Sequence, residues 1–144
     1  MPFIGFNFDK ILAERKKDEV NGNISVKHNL NILDLKEEEI NLDKKQEVLR
    51  FTFEFVLNYE PEQGFIKING HLLFLDSPKK MKDIIQDWKK DKKIPPEIMQ
   101  SLFNTILAKS NIKALQLSQD INLPPHLPMP RLEKQKPNLN EYIG

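Results

Sequence analysis

Three histidines, 21 Asp and Glu residues, and 22 Lys and Arg residues are the groups of this 144-residue chain able to do chemistry. A metal centre or a nucleophile–base pair needs several such groups at short, fixed spacings. His28, His71 and His126 stand far apart, with no HExxH-type pairing. His28 falls between Val26 and Leu30 on the apolar side of an alternating run, which suits a strand-end or hydrogen-bonded histidine. The carboxylates come in runs, "LKEEEI" (35–40) and "LDKKQE" (42–47), and read as solvated loop charge. Cysteine is absent, so thiolate ligands, thiol nucleophiles and disulfides are excluded. Five isolated glycines build no phosphate loop, and there is no GxSxG elbow. No catalytic residue, metal ligand or cofactor is expected. The chain reads as a non-enzyme.

Two segments suit binding better than catalysis. "KKMKDIIQDWKKDKK" (79–93) holds seven lysines and could contact a polyanion, with Trp88 available to stack on a base. Trp88 also falls in line with Met81, Ile84 and Ile85 at helical spacing, which turns its ring inward. "INLPPHLPMPRL" (121–132) is the second segment. Its four prolines forbid a helix, while Leu123, Leu127 and Met129 keep it apolar. Such a strap is expected to lie extended on its own domain or on a sister subunit. A PxxP ligand is the alternative, but Arg131 stands one place too far along for the usual spacing.

Four strands and two helices are predicted to carry these segments. Ile4, Phe6 and Phe8 alternate with polar or small residues, and the phase then slips to Ile11 and Ala13, as at a bulge. A second strand runs through Ile24, Val26, Leu30 and Ile32 to a charged connection at 34–46. Leu49, Phe51, Phe53, Phe55 and Leu57 form one face of a third strand. "EPEQG" (60–64) turns it into a fourth, 65–75, in which Gly70 marks a bulge or a close backbone approach. Ser77-Pro78 opens a helix as cap and first residue. A second helix opens near Pro96 and is expected to pause at Ser110-Asn111. The fold class is α+β, a four-stranded antiparallel sheet with C-terminal helices packed on its Phe51/Phe53/Phe55 face. One domain spans 1–132, followed by a mobile tail, 133–144.

Composition narrows the function. A net charge of +1 speaks against a dedicated nucleic-acid binder, whose affinity comes largely from neutralised phosphates. No secretory signal is visible, and the longest apolar run is four residues, Leu72 to Leu75. A cytoplasmic protein with no membrane insertion is expected.

The order of elements, with "VLRFTFEFVL" (48–57), "IPPEIMQSLFNTIL" (94–107) and "INLPPHLPM" (121–129), resembles the SecB-like protein-export chaperones. The resemblance implies an ATP-independent cytosolic holdase, a dimer or tetramer of like chains that binds unfolded polypeptide in apolar grooves. Candidate polypeptide-binding residues are Trp88, Phe103, Leu123, Leu127 and Met129. Two places differ from that family. "KKDEVNGN" (16–23) lacks the family's aromatic loop residues, and the near-neutral charge lacks its acidic docking surface. Two alternatives stand beside the holdase. One is a scaffold or assembly protein gripping a specific protein partner; the other is an RNA- or ribosome-associated protein using helix 79–93.

Overall fold

The computed structural model describes residues 3–16 and 22–128. Four strands, β1 (Phe3–Arg15), β2 (Ser25–Asn41), β3 (Lys45–Glu60) and β4 (Gly64–Phe74), form one antiparallel sheet in the order β1-β4-β3-β2. Helices α1 (Pro78–Asp91) and α2 (Pro96–Asp120) follow. The class is α+β, with helices on one face. β1 and β2 are the two edges. Just past β1, the Lys16 N–H donates to the Gln63 carbonyl in the β3–β4 turn (2.9 Å). The boundary drawn at residue 132 and the tail 133–144 lie outside the described residues.

Side chains alternate across a strand, so one face of the central pair collects every second residue. Phe51, Phe53 and Phe55 of β3, with Ile66, Ile68 and Leu72 of β4, are at most 1% exposed. Each of these side chains contributes roughly 1.5–3 kcal/mol by leaving water. The helices supply the cover: α1 lies over β2 and β3, and α2 over β4. Ser77 caps α1, its hydroxyl accepting from the Lys80 N–H at 3.3 Å. Ser77→Ala is expected to cost about 1 kcal/mol in urea unfolding.

Gly70 makes a close backbone approach and also faces a bulge. Phe8 pairs with Gly70 and Lys10 with Asn69, so Asp9 is the extra residue of β1. A Cβ on Gly70 would run into the Asn7 carbonyl oxygen and lie 2.7 Å from Cζ of Phe53. The missing side chain lets the Phe53 ring lie flat on the sheet, with Phe6 stacked beside it (5.5 Å, 29°).

Three sequence expectations need correction. Ile4 does not share a face with Phe6. A register shift between Phe3 and Gly5 turns Phe3 inward, edge-on to Phe74 at 5.4 Å, and leaves Ile4 45% exposed. Most of the charged connection at 34–46 is strand. After a bulge between Ile32 and Asp34, β2 continues to Asn41, pairing Lys36 with Arg50 and Glu38 with Val48. Ladder hydrogen bonds come from the backbone, so charged side chains on a wet face do not forbid them. Finally, α2 does not pause at Ser110. Its buried residues, Ile98, Leu102, Ile106, Ser110, Ala114 and Ser118, recur every fourth position without a break. The small side chains of the last three bring the helix backbone close to the sheet. No described helix is long and apolar enough to cross a membrane.

Candidate polypeptide-binding channel

At the β1 edge, two aromatic side chains reach beyond the cover of the core. Phe6 and Phe8 meet edge to face (5.1 Å, 87°), and Phe6 is held in place by its stack on Phe53. Across from them, α2 presents Lys109, Ile112, Lys113 and Gln116, enclosing a recess of about 470 Å³. Ile112 is 62% exposed, and Lys109 Nζ sits 5.3 Å over the Phe6 ring. A second recess of about 270 Å³ continues along the helix, lined by Ile112, Leu115, Gln116, Gln119 and Pro125. The two recesses adjoin at Ile112 and Gln116, which line both, and together make an open channel that has Phe6 and Phe8 at one end and Pro125 of the strap at the other.

The channel combines three kinds of group. Phe6, Phe8, Ile112 and Leu115 offer apolar surface. Lys109 and Lys113 offer positive charge, and no carboxylate lines either recess. The outer edge of β1 has no strand partner among the described residues, which is where a further strand can add. Apolar surface beside an open ladder suits an extended chain. Nothing in the channel supplies a nucleophile with a base.

The strap forms the channel's far wall and is anchored in cis. Leu123 is buried, its N–H donating to the Ser118 carbonyl at 2.8 Å. His126, 8% exposed, places Nε2 at 2.8 Å from Asn111 Oδ1 on α2. An amide oxygen only accepts, so Nε2 carries the proton and Nδ1 is left with a lone pair. That Nδ1 is buried without a hydrogen-bond partner. His28 of β2 lies against the ring (5.5 Å, 79°), as does Phe55 of β3 (6.4 Å, 70°). Burial first, and then the charge of His28, push the His126 imidazole below its ordinary 6.5. Sequence distance made His126 look unaccompanied; the fold gives it three ring or amide neighbours.

On the opposite face, one residue from each strand enters a polar row. Arg50 Nη1 lies 3.3 Å from Glu38, and Nη2 lies 3.8 Å from Asp9 and 3.2 Å from His71 Nδ1. His71 Nδ1 is also 2.7 Å from Asp9 Oδ2. One nitrogen cannot both donate and accept, so the shorter Asp9 contact takes its proton. Glu38, read from the sequence as loop charge, thus belongs to an ion-pair row across the sheet. Among the described residues, no three His, Asp or Glu side chains gather closely enough to hold a metal ion.

The residues expected to bind polypeptide are dispersed. Trp88 is 7% exposed and packs inward from α1, with Lys92 Nζ 5.0 Å above its ring. Leu123 is 5% exposed against Gly64. Phe103 on α2 and Leu127 on the strap are half-buried. None of these four lines the channel, and Met129 lies outside the described residues. The channel residues Phe6, Phe8, Ile112 and Leu115 were not singled out. One signal for them was present: α2 carries apolar residues on more faces than one sheet can cover.

Comparison with protein-family models, with curated proteins and with solved structures returned no match.

Proposed function

We propose that this protein is an ATP-independent holdase that binds non-native polypeptide, in extended form, along the channel between β1 and α2. The observation that carries the reading is the coincidence of a sheet-edge strand with half-buried and exposed apolar side chains lining two adjoining recesses. An unfolded chain offers backbone groups and apolar side chains together, and a folded protein hides both. Lys109 and Lys113 favour client segments whose apolar residues are interspersed with carboxylates. Phe103 on α2 and Leu127 on the strap, half-buried and outside both recesses, are candidate contacts for a longer client.

The same reading places the protein in the cytoplasm as a homodimer or homotetramer. Apolar side chains that one protomer leaves exposed, such as Leu12 and Leu33, support association with a second copy. The test is light scattering from a chemically unfolded, aggregation-prone client diluted into buffer without nucleotide. Suppression is expected at a few-fold molar excess of this protein. No suppression, with stoichiometric capture of a single folded protein instead, would replace the holdase with a scaffold.

A further inference from the structure

We propose that His126 is a proton-operated latch: neutral, it pins residues 124–128 of the strap onto α2 and the sheet, and protonated, it lets them lift and widens the channel. The proposal rests on the channel being the client site, because Pro125, the residue before His126, is its far wall.

The geometry favours the neutral ring through Nδ1. His126 is 8% exposed, and its hydrogen bond from Nε2–H to Asn111 Oδ1 at 2.8 Å is open to both charge states, so the cost of a proton falls on the other nitrogen. Adding a proton at Nδ1 would create a buried N–H with no acceptor. The facing groups are Asn111 from α2, Phe55 from β3 and His28 from β2. Of these only His28 can carry charge, and that charge acts on the ring; among the described residues no carboxylate faces it. Protonating both histidines would set two like charges on rings 5.5 Å apart.

The strap can respond because little else fastens it beyond Leu123. Pro124, Pro125 and Pro128 have no N–H to donate, and no backbone hydrogen bond is made by His126 or Leu127 among the described residues. His126 therefore carries the attachment. Its imidazole is held below 6.5 in place, so the latched state keeps its full stability above that value. That stability is lost as the pH falls through the lower value His126 has when folded. Lifting uncovers Phe55 and removes the wall at Pro125, so clients gain apolar surface under mild acid.

The chain's composition provides the measurement, since it holds one Trp and no Cys. Trp88 is the donor, and an acceptor dye on Pro128→Cys, an exposed strap position, reports the separation. Labelled chains are diluted into unlabelled protein so that transfer stays within a protomer. Between about pH 7.5 and about pH 5.5, transfer is expected to fall reversibly while far-UV circular dichroism stays constant. His126→Gln, which keeps a donor toward Asn111 but cannot protonate, should hold transfer constant over the same range. His28→Asn removes the opposing charge and should move the transition to higher pH. Constant transfer in the otherwise unmodified chain overturns the latch. So does an equal fall in His126→Gln, or an unmoved midpoint in His28→Asn. Client protection is read separately by light scattering at both pH values. A strap that opens while no client is held at either pH supports the latch and removes the holdase; clients held equally at both, with no change in transfer, does the reverse.

Discussion

Gly70→Ala is expected to destabilise the protein by about 3 kcal/mol, a large part of the roughly 5–15 kcal/mol that holds a typical domain together. The added methyl would press on a backbone oxygen, that of Asn7, and on the Phe53 ring at 2.7 and 2.8 Å. Neither can retreat cheaply. Asn7 belongs to the β1 ladder opposite His71, and Phe53 is fully buried with Phe6 stacked on it. Gly5→Ala is the control, because the nearest atoms to its Cβ all belong to the Leu73 side chain, at 3.4 Å or more, an ordinary contact. Its cost should stay within about 0.5 kcal/mol. Urea unfolding of the two variants checks the difference. Equal midpoints would mean that the Phe53 ring is not seated on Gly70. Because Phe6 rests on the same ring, Gly70→Ala should also blunt client holding.

Ile112→Asp is expected to weaken client binding about tenfold or more, equivalent to roughly 1.4 kcal/mol. Ile112 is shared by both recesses, so a carboxylate there interrupts the apolar surface at the middle of the channel. The side chain is 62% exposed, so the fold has little to lose. Ile4→Asp makes the same chemical change on the other side of β1, where Ile4 is 45% exposed. It should leave binding by the channel unchanged. Fluorescence titration with a labelled unfolded client separates the two. Equal effects from both substitutions, or none from Ile112→Asp, would move the client site elsewhere.

Most of the fold was legible because strands and helices write different periods into a sequence. The Phe51/Phe53/Phe55 face, the bulge after Phe8, the close approach at Gly70 and the Ser77 cap all follow from local spacing, and the structure has each of them. The continuation of β2 was not legible. Its charges are permitted by a wet face and by pairing with the start of β3, and neither shows in the segment itself. The unbroken α2 was hidden for a related reason: Ser110-Asn111 looks like a stop, yet Ser110, like Ser118, is buried beneath the helix as a small spacer.

The site was less legible than the fold. Trp88 and Leu123 were groove candidates through the family resemblance, although helical spacing already turned Trp88 inward, and each is taken up by its own protomer's core. Phe6 and Phe8 looked like ordinary strand residues, and become channel walls only because β1 is an edge.

Residue order alone determined the periodic elements, the stiff proline strap and the absence of thiol chemistry, since each depends on side-chain type and on neighbours a few positions away. Tertiary structure decided the rest: which strand is left at the edge, that Ile112 faces Phe6 and Phe8, and that His126 lands beside His28 and Asn111. Apart from His126 with Asn111, fifteen positions away, these pairings join residues about a hundred positions apart, and the free energy that brings them together belongs to burial of the whole sheet face. No local spacing records it.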